Sequence, residues 1–255
     1  MEQAIILTSG ILTAAAAATV GVFLLIRKMV LVSDSMPHIA LPGLAAGIIF
    51  NFNPVWGALA LLLAAAALIW AIENKTRLAV ESIVGVLFVT ALAIGSLLVP
   101  EGHVLEAFFG SIENLSSAQA VFQGLAAAAV IGVVAWKRKA LLLSSIAPDL
   151  ARSLKINVKT TEFLLLLLIA VTVAIGINFV GILLMSGLLI VPAIAARNLT
   201  SNLKNFFIAA VVIAVASVAA GILLAPLFGI APGILTVLTA SAFFLLSLFR
   251  FFFKR

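Results

Sequence analysis

Polar positions along this chain are gathered into short breaks. Between them run apolar stretches that approach or exceed the roughly 20 residues a helix needs to cross a bilayer. Nine such stretches are legible, at about 4–26, 31–50, 55–72, 80–99, 117–136, 160–179, 182–196, 206–225 and 231–250. The short alternating segments of a membrane β-barrel are absent from the pattern. It predicts an all-α polytopic membrane protein of about nine transmembrane helices, or eight if one apolar stretch does not cross. The stretch from 160 to 196 is the critical one. Basic loops flank it on both sides, which requires an even number of crossings, yet at about 1.5 Å per residue it supplies two short helices. Gly176, Asn178 and Gly181 are candidates for the turn between them, and a re-entrant pair fits the hydropathy equally well. No domain boundary or internal repeat shows, so residues 1–255 read as a single transmembrane domain.

Charge orients these spans. Arg27 and Lys28 follow the first, Lys75 and Arg77 the third, and Lys137, Arg138, Lys139, Arg152, Lys155 and Lys159 the fifth. Arg197 and Lys204 follow the seventh, and Arg250, Lys254 and Arg255 close the chain. With the N-terminus outside and nine crossings, all 15 Lys and Arg residues fall on the cytoplasmic side. The segment 100–116, with Glu101, Glu106 and Glu113 and no Lys or Arg, falls outside. This is the positive-inside distribution, and it puts the C-terminus in the cytoplasm.

Composition removes other classes. The chain is 65% hydrophobic and 9% charged, with a mean hydropathy of +1.34, which excludes a soluble globular domain. The net charge of +6 is spread over loops between spans, so it reports topology and not a nucleic-acid partner. There is no cysteine, hence no disulfide and no thiolate metal site. The N-terminal Met-Glu-Gln-Ala has no basic n-region, so the first apolar stretch reads as a retained span and not as a cleaved leader.

One stretch breaks the apolar rule. Residues 33–43 read Ser-Asp-Ser-Met-Pro-His-Ile-Ala-Leu-Pro-Gly, with Asp34 and His38 one helical turn apart on one face. An Asp at mid-membrane costs about 2.5–3.5 kcal/mol even on translocon-based scales, so such a residue lines a wet cavity, finds a partner or holds a cation. Pro37 and Pro42 lack an N–H, which leaves the carbonyls of Ser33 and His38 without their helical donors. Carboxylate, imidazole and freed carbonyls together suit a cation path, and oxygen plus nitrogen donors suit manganese, iron or zinc. A buried hydrogen-bonded pair that only fixes helix packing is the other reading of the same residues.

The polar segment 137–159 interleaves apolar residues throughout. Ser145 is a candidate N-cap for a short helix with Pro148 and Asp149 in its first turn, and Leu150, Leu154 and Ile156 would give that helix an apolar face. Such a helix can receive a docked partner or lie on the anionic inner leaflet. The phosphate-binding pattern Gly-x-x-x-x-Gly-Lys-Ser/Thr is absent, so nucleotide energy would come from another subunit.

Several segments, in order, resemble one family. Asp34, His38 and Gly43 resemble the Asp-x-x-x-His-x-x-x-x-Gly signature of the metal-ion ABC permeases, the membrane subunits of bacterial zinc, manganese and iron importers. Asn53-Pro54, Phe108-Phe109-Gly110-Ser111-Ile112, Ser145–Ala151 and Phe179–Arg197 resemble further family segments. The resemblance implies a type II importer permease in a bacterial-type plasma (inner) membrane. Its partners would be a second permease chain (a homodimer), a cytoplasmic ABC ATPase dimer, an extracellular or periplasmic metal-binding protein and membrane lipid. It implies no permanently bound cofactor and no enzymatic activity, with ATP hydrolysis left to the partner. Asp34 and His38 would handle the transported metal, and Ala147, Pro148, Asp149, Leu150 and Ala151, within the coupling loop at about 137–159, would receive the ATPase. Glu101, His103 and Glu106 could relay metal from the binding protein, against the plainer reading of a solvated loop. Zinc-carrying members often have a His in the span corresponding to 80–99, where this chain has none. The resemblance therefore leaves the metal open. The competing class is a proton-coupled secondary metal transporter with Asp34 and His38 as the relay. The absence of His-Glu-x-x-His and of a second His within the spans argues against a membrane metalloprotease.

Overall fold

The computed structural model describes residues 2–76, 78–99, 108 and 116–253, and the regular structure among them is entirely helical. The helices are α1 (Glu2–Ile26), α2 (Val30–Ile39), α3 (Leu41–Ile49), α4 (Pro54–Thr76), α5 (Val80–Leu98), α6 (Ser117–Ile146), α7 (Pro148–Ser153), α8 (Val158–Val180), α9 (Ile182–Leu199), α10 (Leu203–Phe228) and α11 (Pro232–Phe253). Eight of them are long and apolar enough to cross a membrane: α1, α4, α5, α6, α8, α9, α10 and α11. The remaining expected span, 31–50, is split into α2 and α3. They follow each other through Ala40, whose amide donates to the Pro37 carbonyl in a tightened turn. Pro42 sits in the first turn of α3, where its missing N–H disturbs no intrahelical bond.

The ends of the helices follow local chemistry. A reciprocal capping box starts α6: the Gln119 amide donates to Ser116 Oγ, and the Ser116 amide donates to Gln119 Oε1. Asn157 and Asn202 cap α8 and α10 by accepting from the amides of Thr160 and Asn205. The 160–196 region resolves into α8 and α9, joined by Gly181 alone, while Gly176 and Asn178 are helical residues of α8. Gly181 adopts φ 84° and ψ 165°, a region open essentially to glycine only. At about 1.5 Å per residue both helices are long enough to span.

One boundary differs from expectation. α6 continues ten residues past 136 and ends at Ile146, so only about 147–157 is connection and the start of the segment read as loop is helix. Lys-Arg-Lys-Ala-Leu-Leu-Leu is good helix-forming sequence, and what stops it is Pro148, which drives Ala147 out of the helical region to φ −142° and ψ 73°. Ser145 accordingly lies inside α6, its hydroxyl donating to the Leu141 carbonyl. The cap position of α7 belongs to Ala147, which offers no side-chain acceptor.

α1 is the central post and packs against α6, α8, α9 and α10. α3 lies against α4, α2 against α5 and α9, and α11 against α9 and α10. Small residues permit these approaches. Gly43 of α3 and Gly57 of α4 meet backbone to backbone, so that a Cβ on either would collide with the carbonyl of the other.

Candidate metal-handling site

On α2, residues four apart share a face, and the helix is held by buried neighbours on its other sides: Val32, Ser33, Ser35, Met36 and Ile39 are all buried. Ser33 donates its hydroxyl to the Val30 carbonyl. Asp34 is exposed on the single chain, and among the described residues it has no hydrogen-bond or ion-pair partner. His38, one turn later, is half-buried, and its Nδ1 is enclosed without a hydrogen-bond partner. Its ring packs edge-on against Phe88 of α5, centroids 5.2 Å apart and planes at 71°. The structure thus separates the two side chains' surroundings: Asp34 faces outward from the bundle and His38 faces α5. No hydrogen bond joins them, and His38 Nδ1 is left without a partner.

A buried imidazole nitrogen without a partner costs about 1–3 kcal/mol relative to a bonded one. An imidazole nitrogen is also a good ligand for a divalent transition metal. Among the described residues no group of three or more His, Cys, Asp or Glu comes together, so Asp34 and His38 are at most two such ligands from one chain here. A tight storage site has three or four. Two suit an ion that must leave again.

At the cytoplasmic end of the bundle the structure assembles charges that the pattern left scattered. Arg27, just past α1, pairs with Glu162 of α8 at 2.5 Å, both side chains largely enclosed at 15% and 24% exposure. Glu73 of α4 and Glu81 of α5 join Arg27, Glu162 and Met29 around a cavity of about 280 Å³. A larger cavity of about 920 Å³ opens beside it, between Glu73, Pro148, Arg152, Lys159 and Glu162. Glu81 and Glu162 stand near the starts of their apolar runs, a position visible in the sequence, whereas their proximity to Arg27 and Glu73 follows only from the packing of the helices. The available signal was opposite charge at one membrane level on spans that turn out adjacent.

The segment Ala147–Ala151 forms the corner between α6 and α8. Pro148, Asp149 and Leu150 are exposed, while Ala151 is buried and anchors the turn. Asp149 accepts from Arg152 Nη1 at 2.9 Å across one helical turn, a solvated pair that contributes little to stability. α7 ends at Ser153, with Leu154 at its C-cap and Lys155 at φ 59°, so Leu154 and Ile156 fall beyond it and the expected three-residue helical face does not form. Leu150 and Leu154 are exposed and Ile156 is half-buried. The start of α8 that follows is held by Trp70 of α4, whose Nε1 donates to the Lys159 carbonyl and whose ring packs on Phe163. Glu101, His103 and Glu106 lie outside the described residues.

The model of the ABC 3 transport family matches residues 1–251. A membrane protein of the high-affinity zinc uptake system of Haemophilus influenzae, ZnuB, is 29% identical over 250 residues, covering 96% of this chain and 95% of its own. The manganese transport system membrane protein MntC of Listeria monocytogenes is 29% identical over 235 residues, covering 89% of this chain and 83% of its own. Among solved structures, PsaBC from Streptococcus pneumoniae in complex with Fab superposes with a TM-score of 0.84 at 26% identity, over 95% of this chain and 89% of that one. A metal-chelate type ABC transporter in an inward-facing conformation shares the fold, with a TM-score of 0.76 at 18% identity, over 96% of this chain and 85% of that one.

Proposed function

From the premise that the chain belongs to the ABC 3 transport family, as a multi-pass membrane permease, we propose that it carries a divalent transition metal, zinc or manganese with iron as the further candidate, into the cytoplasm of a bacterial-type cell. The observation that carries this is the face of α2, where an unpartnered carboxylate and an imidazole with an enclosed, unbonded nitrogen stand one turn apart beside a break in the helix. The family and the names of its zinc and manganese relatives support the class of cargo.

In this reading the metal enters from a binding protein on the outer side and exchanges water for Asp34 and His38. Asp34 supplies charge and His38 supplies a neutral nitrogen donor. Because Asp34 faces outward on the single chain, the shell is completed by water and by a second copy of the permease, so the path runs between two chains. The exposed corner Pro148–Asp149–Leu150 receives a separate ATPase, and ATP hydrolysis there moves α6 and α8, which flank it. The chain itself is a transport subunit with no catalytic residue.

The test is metal uptake by the permease reconstituted with its ATPase and binding protein. Asp34→Asn and His38→Ala bring ATP-driven uptake to background while the complex still assembles, and Asp149→Ala lowers coupled ATPase activity without changing which metal is preferred. Full transport by either α2 variant, or uptake that follows a proton gradient and ignores ATP, overturns the reading.

A further inference from the structure

The cytoplasmic ends of α6, α9 and α10 carry a second charged feature that metal handling does not use. Phe206 and Phe207 lie near the start of α10, with centroids 6.3 Å apart, and Phe207 packs edge-on against Phe23 of α1 at 5.3 Å. Onto this aromatic shelf two guanidinium groups are laid from different helices: Arg138 of α6 stands 6.0 Å from the Phe207 centroid, and Arg197 of α9 stands 5.8 Å from that of Phe206. Ring faces hold guanidinium groups in place without neutralising them. Arg138, Arg197 and neighbouring Lys204 are exposed, and none has a carboxylate partner among the described residues. The sequence makes the deficit wider. No Asp or Glu occurs between Glu113 and Asp149 or anywhere after Glu162, so α6, α9 and α10 contain no carboxylate at all. The matching anion must come from outside these helices.

We propose that this shelf binds an anionic phospholipid of the inner leaflet, its phosphate held by Arg138, Arg197 and Lys204. Charge complementarity sets the headgroup. Two guanidinium groups held over adjacent aromatic rings suit the paired oxygens of a phosphate. The rest of the ligand is set by α10, where Lys204, Ile208 and Val212 follow at four-residue spacing on one face and all three are exposed, Ile208 at 52% and Val212 at 59%. A cation at the membrane boundary with an apolar strip running into the bilayer below it matches a headgroup with its acyl chain. The charged level also coincides with the leaflet that the distribution of basic residues assigns to the cytoplasm. The proposal rests on that orientation and is independent of which ion is carried.

The full-length chain, purified in detergent and stripped of lipid, is titrated with phosphatidylglycerol and with phosphatidylcholine of the same acyl chains, and bound lipid is counted by native mass spectrometry. The wild type binds phosphatidylglycerol in preference. Arg138→Gln/Arg197→Gln weakens that binding by about 10- to 30-fold and leaves phosphatidylcholine unchanged. Lys204→Gln, which disturbs no aromatic contact, weakens it by about threefold and serves where the double variant does not fold. Arg152→Gln on α7 keeps wild-type binding. Equal retention of the two lipids by the wild type overturns the proposal. So does wild-type lipid affinity in Lys204→Gln and the double variant, or an equal loss in Arg152→Gln. If the shelf variants keep their lipid but shed a copurifying ATPase, the surface is a protein interface and the proposal fails.

Discussion

His38 gains its character from what stands next to it. Its ring lies against Phe88, an edge contact that orients the imidazole without offering a donor or a second ligand. The metal preference of the path is therefore open to change from α5. Phe88→His places a second imidazole beside the first, and imidazole nitrogen favours zinc over manganese by the usual order of divalent affinities. In competitive uptake the zinc-to-manganese ratio of this variant rises several-fold over wild type, and an unchanged ratio would remove His38 from the selective part of the path. The position of Asp34 and His38 was readable in the sequence because an ionisable pair in an apolar run is an energetic anomaly visible without a fold. Phe88 was one apolar residue among many in its span. Its role depends on α2 and α5 packing together, which hydropathy does not encode.

At the scale of elements, the spans themselves were legible because each is an uninterrupted apolar run, and membrane thickness sets a minimum length. Their ends were less so. α6 runs past 136 since hydropathy senses where the bilayer stops, while a helix stops only where a residue such as Pro148 forbids it. The charged partners Arg27, just past α1, and Glu162 of α8 are far apart in sequence, so their 2.5 Å contact depends on the packing of α1 against α8 and not on any local pattern. The α3–α4 contact carries a sharper expectation. Gly43→Ala would set a methyl group 2.7 Å from the carbonyl carbon of Gly57. Overpacking of this kind costs about 1–3 kcal/mol when the backbone must move. Thermal unfolding in detergent should show a lowered midpoint, together with reduced uptake as α3 shifts relative to α2. An unchanged midpoint would mean the two helices separate freely.

Across the whole molecule, the enclosed helices and the peripheral ones divide the labour: α1 and α8 form the interior, while α5 and α11 are largely open to their surroundings. The broken pair α2–α3 belongs to neither group, and its consequence reaches back to the ribosome. A nascent chain is sorted into lipid one hydrophobic segment at a time, and this segment carries Asp34, Pro37 and Pro42 in halves of 10 and 9 residues. The aspartate alone opposes partitioning by about 2.5–3.5 kcal/mol. α4, joined to it by a short turn and fitted to it through Gly43 and Gly57, is long enough to span and wholly apolar up to Glu73. The segment therefore enters as half of a hairpin with its successor. A chain truncated near residue 53 leaves α2–α3 outside the bilayer in a glycosylation-mapping assay, and one extended through α4 threads both across, whereas efficient insertion of the shorter chain would show that the segment needs no escort. The residues that let an ion through are thus the ones that cannot cross the membrane unaided, and biosynthesis must carry them in before transport can use them.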